Sequence, residues 1–99
     1  MIKVRLSAAA QKDLRDIRQY SKASFGTTVA REYVTGLRAT FQRLRDWPLV
    51  GAAYPDLGFD VRRFAYRSHA LYYRVAGDRI EVIRILHHAQ QALVNVRTS

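Results

Sequence analysis

The chain has no cysteine, two prolines and three lysines among its 99 residues. The absence of thiols excludes disulfide frameworks, thiolate zinc sites and cysteine nucleophiles. No apolar run is long enough to span a membrane, and the N-terminal run from Leu6 to Ala10 is too short for a signal peptide. These absences predict a cytoplasmic protein that does not associate with membranes.

Acidic residues are also scarce, since eight Asp and Glu face seventeen Lys and Arg and the formal net charge is +9. Fourteen of the seventeen basic residues are arginine, whose guanidinium fork stays charged and binds carboxylates and phosphates bidentately. The charge therefore favours nucleic acid, an acidic protein segment or the ribosome as a partner. A basic charge that only aids solubility is the simpler alternative.

What remains is the composition of a folded protein, with 48% hydrophobic and 25% charged residues. At this length we expect one domain over residues 1–99. A first strand is predicted from Ile2 to Leu6, where apolar and basic side chains alternate. Ser7 is suited to cap a helix over Ala8–Ser24. The apolar stripe of this helix is thin and consists of Ala10, Leu14, Ile17 and Ser21.

A second helix follows after a short connection, which predicts an antiparallel αα-hairpin. Gly26 suits the left-handed C′ position of the first helix, and Thr27 or Thr28 is predicted to cap the second. Gly36 lies inside the second helix at a cost of about 1 kcal/mol relative to alanine, which predicts a close approach to another helix or to the sheet. The apolar stripe is Ala30, Tyr33, Val34, Leu37, Phe41 and Leu44.

The second half of the chain predicts a small sheet. Trp47-Pro48 ends the second helix, and residues 48–60 are interpreted as an ordered surface loop. The strands are Val61–Tyr66, His69–Ala76 and Arg79–Leu86, with turns at Arg67-Ser68 and Gly77-Asp78. Beyond His87, a short helix or an irregular tail is expected. The predicted fold class is α+β, with an N-terminal strand, an antiparallel αα-hairpin and then a three-stranded antiparallel sheet.

Counting outward from a type II′ turn at Gly77-Asp78 gives the register of the last hairpin. One face is predicted to carry the pairs Val75–Ile80, Tyr73–Val82, Leu71–Arg84 and His69–Leu86. The opposite face is predicted to carry Arg74–Glu81, Tyr72–Ile83 and Ala70–Ile85. Both faces are largely apolar, so we expect the helices to cover one and a C-terminal segment or a partner protein to cover the other. Tyr73 is assigned to the core, whereas Tyr66 and Tyr72 are the candidates for exposure.

The search for chemistry excludes several kinds of site. His87 and His88 are adjacent on a strand and point to opposite faces, and no carboxylate cluster completes a metal site near His69. No G-x-S-x-G elbow or Gly-rich phosphate loop is present. We therefore expect no metal and no cofactor.

Cleavage of RNA through the 2′-hydroxyl is the enzymatic alternative. It needs a base, an acid and cations that stabilise the phosphorane charge. The residues that could supply them are Arg62, Arg63, Arg67, Arg84, His69, His87 and His88. For each one we favour the structural interpretation, in which the arginines brace the sheet or contact a partner and the histidines satisfy strand ends. A plain RNA-binding module is a third alternative.

Residues 62–75, RRFAYRSHALYYRV, and residues 83–88, IRILHH, resemble the ParE branch of the ParE/RelE toxin superfamily of bacterial type II toxin–antitoxin modules. The resemblance covers nearly the whole chain. It implies a growth-inhibiting toxin that inhibits DNA gyrase and is neutralised by a ParD-type antitoxin. The RelE-like branch instead cleaves mRNA on the ribosome, and a shared fold does not decide between them.

The residues of the RelE-like branch are largely missing here. Those nucleases carry an arginine after the last strand and often a tyrosine near the C-terminus, whereas this chain continues HHAQQALV and has no tyrosine after Tyr73. We therefore expect a non-enzymatic inhibitor. In the alternative, a ribosome-dependent mRNA endoribonuclease, the catalytic residues would be Arg67, Arg84, His87 and His88.

The resemblance also implies an acidic, amphipathic antitoxin tail that is disordered until it binds. Such a tail could lie along the first helix and a face of the sheet, where its carboxylates would pair with arginines. The predicted antitoxin- or target-binding residues are Arg15, Arg18, Arg62, Arg63, Arg67 and Tyr72.

Overall fold

In the computed structural model, which describes residues 2–89, one strand precedes two helices and four further strands. The elements are β1 (Lys3–Leu6), α1 (Ala8–Phe25), α2 (Thr27–Asp46), β2 (Ala52–Ala53), β3 (Val61–Tyr66), β4 (His69–Ala76) and β5 (Arg79–His87), with a 3₁₀ turn at Pro55–Leu57. The strands form one sheet in the order β1-β5-β4-β3-β2. β1 runs parallel to β5, and the other neighbours are antiparallel.

The α+β class and the helical hairpin are confirmed, but the predicted sheet of three strands is too small. β1 adds a strand beside β5, and β2 adds two residues beside β3. Pairing between the two ends of a chain leaves no local signal in the sequence. A two-residue strand is likewise too short to show an alternating pattern.

The ends of the helices follow the sequence in part. Ser7 caps α1 as predicted, since its Oγ accepts a hydrogen bond from the amide of Ala10 at 3.0 Å. The prediction that Thr27 or Thr28 caps α2 is wrong, because Gly26 is the N-cap and Thr27 is already helical. Gly26 has φ 91° and ψ 169°, outside the left-handed helical region predicted for it. It reverses the chain directly from one helix into the next.

The hairpin of β4 and β5 keeps the predicted register only as far as Tyr73–Val82. Gly77 has φ 61°, as a type II′ turn requires at its first central position. Beyond Val82, a β-bulge places Ile83 as an extra residue and shifts the register by one. The predicted pairs Tyr72–Ile83, Leu71–Arg84, Ala70–Ile85 and His69–Leu86 are therefore wrong; the observed pairs are Tyr72–Arg84, Leu71–Ile85, Ala70–Leu86 and His69–His87.

Two apolar clusters cover the two faces of the sheet. The larger one lies between the sheet and the helices, and it includes all the apolar residues predicted for the α1 stripe together with the fully buried Tyr73. The smaller one contains Ala70, Tyr72 and Leu86, against which Tyr54 and Leu57 pack. Tyr72 is therefore buried, contrary to the prediction, and the loop before β3 covers this second face in part.

Gly36 marks a close approach of α2 to the sheet, as predicted. A Cβ atom at this position would lie 2.8 Å from Cζ of Tyr66, whose hydroxyl is closer still. Tyr66 is half-buried there rather than freely exposed. The short helix or irregular tail predicted beyond His87 lies outside the described residues except for His88 and Ala89. Within residues 2–89, no helix is long and apolar enough to cross a membrane.

Candidate partner-binding surfaces

A groove between the two helices concentrates positive charge. Its volume is about 330 Å³, and we call it the basic groove. The lining residues come from the end of α1 and the first half of α2: Arg18, Lys22, Thr27, Ala30, Arg31, Val34, Thr35 and Arg38. Four of these eight are cationic and none is acidic, so the groove favours an anionic ligand.

Two further features strengthen the positive potential of the basic groove. Arg15, Arg18 and Lys22 are spaced i, i+3 and i+7, so they lie on one side of α1 and Arg15 extends the row of cations. The groove also includes Thr27 at the N-terminus of α2, where the helix dipole is positive and no side chain caps the amides. Of the predicted binding residues, the structure thus brings Arg15 and Arg18 together.

Arg62 and Arg63 are not among the residues that line the basic groove. Arg62 Nη1 donates hydrogen bonds to the carbonyl of Gly51 at 2.7 Å and to that of Leu49 at 3.3 Å. Arg63 Nε donates to Tyr72 Oη at 3.1 Å, and its Nη2 donates to His88 Nδ1 at 3.1 Å. Both guanidinium groups therefore hold neighbouring parts of this chain.

Arg67 lies at the exposed turn between β3 and β4, with φ 49°. Its guanidinium is 5.7 Å from the ring centroid of Tyr66. Its carbonyl accepts a hydrogen bond from His88 Nε2 at 2.6 Å, and the amide of His88 donates to the carbonyl of Ser68 at 2.8 Å. His88 thus satisfies a strand end, as the structural interpretation predicts, while the Arg67 side chain remains accessible.

Arg84 is fixed by an ion pair with α1. Its Nε and Nη2 donate to the two carboxylate oxygens of Asp13 at 2.8 and 3.0 Å. This hydrogen bonding with Asp13 raises the pKa of Arg84 above its ordinary value. Arg84 therefore braces the sheet against the helix, which is the structural interpretation of this residue.

The histidines divide between the two faces of the sheet. His69 and His87 are cross-strand neighbours with ring centroids 5.2 Å apart. A 2.6 Å hydrogen bond joins His69 Nδ1 to the hydroxyl of Tyr33 on α2. Burial, and secondarily the electrostatic influence of His87 and His88, lowers the pKa of His69 to about 4. His69 is therefore neutral at pH 7.

Sequence reasoning missed Tyr33 as a partner of His69, because 36 residues separate them and no local pattern joins α2 to the start of β4. A cavity of about 480 Å³ lies beside the pair and is lined by Asp16, Ile17, Tyr20, His69, His87 and Ala89. Within the described part of the chain, no group of three or more His, Cys, Asp or Glu side chains is arranged to hold a metal ion.

A second surface that the sequence did not reveal is apolar. It consists of Trp47, Leu49 and Val50 in the loop after α2, together with Phe59 before β3, and we call it the apolar loop surface. The exposed fractions of Trp47, Leu49 and Phe59 are 68%, 66% and 95%. Leu49 lines one cavity with Trp47 and Val50 and another with Phe59, so its side chain borders both.

This chain resembles known toxins both in its sequence and in its fold. Residues 4–92 match a family model described as the ParE toxin of the type II toxin–antitoxin system parDE. The chain is 40% identical over 88 residues to Toxin ParE1 of Caulobacter vibrioides, covering 89% of this chain and 91% of that protein. It is 34% identical over 83 residues to Toxin ParE1 of Mycobacterium tuberculosis, covering 83% and 85%.

Among solved structures, the fold resembles a chain described as the chromosomal ParDE TA system from P. aeruginosa. The TM-score is 0.76 at 22% identity, over 88% of this chain and 96% of that chain. A YoeB/ParE toxin from Agrobacterium tumefaciens gives a TM-score of 0.59 at 16% identity, over 87% and 98%. The match to the family model and the identity to the curated relatives show that this chain belongs to the ParE toxin family of type II toxin–antitoxin systems.

Proposed function

We propose that this toxin inhibits DNA gyrase in the bacterial cytoplasm and is neutralised by a ParD-type antitoxin, an acidic segment of which occupies the basic groove. The observation that carries the antitoxin part is the lining of the groove, with four cationic side chains and no carboxylate. Guanidinium groups pair bidentately with carboxylates, so the groove suits an acidic protein segment.

The floor of the basic groove gives such a segment an apolar footing. Ala30 and Val34 are buried residues that also line the groove, between the cations of α1 and those of α2. An amphipathic segment could place apolar side chains on this floor and carboxylates toward Arg18, Arg31 and Arg38. The net charge of +9 would also accelerate the encounter with an acidic partner, in a manner that salt weakens.

The arginines and histidines considered for catalysis support inhibition by binding rather than by cleavage. Arg84 is held by Asp13, and His88 is held by Arg63 and by the carbonyl of Arg67. His87 lies on the other face of the sheet beside His69. The proposed function therefore needs no catalytic residue, and Arg67 would act as a contact residue.

A ribosome-dependent mRNA endoribonuclease is the second candidate, and one observation favours it. His69 is neutral at pH 7 because its pKa is lowered to about 4, and Tyr33 shares a hydrogen bond with it. A neutral imidazole can accept a proton, and Arg67, two residues before His69 at the turn between β3 and β4, could provide positive charge. In this reaction His69, together with His87 and Arg67, would replace the set predicted from sequence.

The two candidates separate in a pair of assays on the purified toxin. Under the proposed function, the toxin abolishes DNA supercoiling by gyrase, cleaved DNA accumulates, and mRNA in a ribosomal cleavage assay stays intact. Cleaved mRNA with normal supercoiling would establish the endoribonuclease instead. Neither effect, from a folded protein, would overturn both.

The role of the basic groove is tested with charge reversal. The double variant Arg18→Glu, Arg31→Glu should still inhibit gyrase but need at least about tenfold more antitoxin for neutralisation, since each lost charge-assisted bond contributes about 1.5–3 kcal/mol. Arg45→Glu with Arg79→Glu is the control, because it makes the same charge change at exposed positions outside the groove. Equal neutralisation of the two double variants would exclude the groove as the antitoxin site.

A further inference from the structure

We infer that the apolar loop surface, formed by Trp47, Leu49, Val50 and Phe59, is where the toxin docks on the protein that it inhibits. The inference rests on the proposed function in one respect, namely that the toxin acts by binding a protein target. It assigns the target contact to a surface distinct from the basic groove.

The first argument is that the loop is held rigidly although its own apolar side chains face solvent. Tyr73 is fully buried, and its hydroxyl donates to the carbonyl of Pro48 at 2.8 Å and accepts from the amide of Gly51 at 2.8 Å. Arg62 donates to the carbonyls of Leu49 and Gly51 from the sheet. The backbone of the loop is thus fixed by side chains of β3 and β4.

Gly51 completes this arrangement. A Cβ atom there would lie 2.7 Å from Tyr73 Oη and 2.9 Å from the carbonyl oxygen of Arg63, so the loop can lie this close to the sheet only with glycine. A loop ordered in advance loses little conformational entropy when a partner binds, which increases affinity. The hydrogen bonds of the buried Tyr73 therefore fix the backbone of a loop whose apolar side chains are exposed to solvent.

The second argument is the size and composition of the surface. Trp47 and Phe59 are aromatic side chains that can each bury roughly 150–250 Å², and Leu49 and Val50 add to them. The patch therefore reaches the few hundred Å² that on monomeric proteins mark interaction sites. It supplies a large part of the roughly 800 Å² per partner that a stable interface needs. Exposed aromatic anchors of this kind dominate binding energy in protein interfaces.

The third argument identifies the occupant. A second copy of this chain would bring two charges of +9 together, which opposes self-association. An acidic antitoxin segment fits the basic groove, whereas Asp46 and Asp60 line the cavities of the apolar loop surface and would repel an acidic segment there. A nucleic acid backbone would contact cations rather than these apolar side chains. The remaining partner is a heterologous protein that offers an apolar pocket, which is the target of the toxin.

The test replaces the aromatic anchors. Trp47→Ala and Phe59→Ala, singly and together, are compared with Phe25→Ala, which removes the same ring from a residue that is 63% exposed elsewhere. Each variant is induced in cells to measure growth arrest, and each purified variant is titrated against gyrase supercoiling and against the antitoxin. Circular dichroism confirms that each variant is folded.

We expect the double variant to need at least tenfold more protein for growth arrest and for gyrase inhibition, while its affinity for antitoxin stays within twofold of the wild type. Phe25→Ala should behave as the wild type in growth arrest. Undiminished growth arrest by the double variant would overturn the inference. So would weakened antitoxin binding, because the surface would then belong to the antitoxin interface.

The growth assay keeps this inference separate from the identity of the target. A wild-type toxin that arrests growth without affecting gyrase would contradict the proposed gyrase inhibition, yet the variants would still decide whether the surface is needed. Loss of arrest together with unchanged mRNA would support another protein target. Loss of arrest from a toxin that cleaves mRNA would overturn the inference in favour of the endoribonuclease.

Discussion

Asp13 receives two hydrogen bonds from Arg84 and a third, at 2.9 Å, from the amide of Ile85. Its carboxylate thereby pairs with the edge of β5 just beyond the residues that β1 covers. Asp13 on α1 therefore accepts a backbone hydrogen bond from β5 at a position that the short strand β1 does not reach.

The Asp13–Arg84 pair should be important for stability. Asp13→Asn weakens two charge-assisted bonds at a mostly buried position, so we expect a loss of about 2–4 kcal/mol in the free energy of unfolding. Urea denaturation measures it. Asp16→Asn is the control, since its salt bridge with Lys12 is exposed and on the same helix, where we expect a loss of about 0.5 kcal/mol or less. Equal losses would contradict the bracing role.

Gly36 should not tolerate alanine despite its helical position. Alanine favours a helix by about 1 kcal/mol over glycine, but its Cβ would collide with the ring of Tyr66. We therefore expect a net destabilisation of about 1–3 kcal/mol, typical of overpacking. In a Tyr66→Ala background the same change should become neutral or stabilising. A double-mutant cycle by chemical denaturation measures this coupling. Additive changes in the free energy of unfolding would show that the ring of Tyr66 is not what excludes a side chain at position 36.

Stability should fall in mild acid because of His69. Its pKa is lowered to about 4 by burial first and by His87 and His88 next, below the roughly 6.5 of an unfolded histidine. The unfolded chain therefore binds the proton more readily between pH 6.5 and pH 4, so stability decreases as the pH falls through this window.

The expected loss from this site is about 1–3 kcal/mol between pH 7 and pH 4. His69→Gln removes the titrating group and should flatten the pH dependence over that range, although it lowers stability at pH 7. Thermal unfolding at a series of pH values gives both results. An unchanged slope in the variant would assign the acid sensitivity to other groups.

Removal of one oxygen from Tyr73 should loosen the apolar loop surface. Tyr73→Phe leaves the amide of Gly51 and the carbonyl of Pro48 without that partner, at a cost of about 1–3 kcal/mol. The amide of Gly51 should then exchange its hydrogen at least tenfold faster, as measured by NMR. Tyr20→Phe, at an exposed tyrosine, should leave that rate unchanged. A protected Gly51 amide in Tyr73→Phe would show that Arg62 alone holds the loop.

The parts of the fold that depend on local chemistry could be predicted from the sequence. The spacing of Ala10, Leu14, Ile17 and Ser21 identified the buried side of α1, because helical periodicity places those positions on one face. Gly36 indicated the contact with the sheet, since an interior glycine is otherwise costly in a helix.

The parts that depend on distant contacts could not be predicted. Ile83 directly follows Val82 and breaks the apolar alternation of β5, but such a break is equally compatible with a regular strand that is covered on both faces. The carbonyl of Ile83 accepts a hydrogen bond from Ser7 Oγ, 76 residues away. The hydroxyl group of Tyr72 is compatible with an exposed side chain, but Tyr54 and Leu57 pack against this residue. The loop that carries them has no periodic pattern from which the contact could be predicted.

The candidate surfaces likewise contain residues that could be predicted from the sequence and residues that could not. Arg15 and Arg18 could be predicted to lie on an exposed side of α1 from its thin apolar stripe, but that Arg31 and Arg38 line the same groove as Arg18 depends on the packing of α2 against α1. The apolar loop surface escaped prediction because exposed apolar residues in a loop have the same sequence pattern as a buried loop.

The parallel pairing of β1 with β5 determines how late in synthesis the sheet of the toxin can be completed. Synthesis delivers Lys3–Leu6 before the two helices and the partner residues 79–82 well after them. The helices are made between them and bury their apolar stripes largely against strands that come later. A nascent chain therefore cannot complete its sheet until most of it has been translated, since long-range pairing of this kind is slow and late. The fold of this toxin is therefore completed only after β5 has been synthesised.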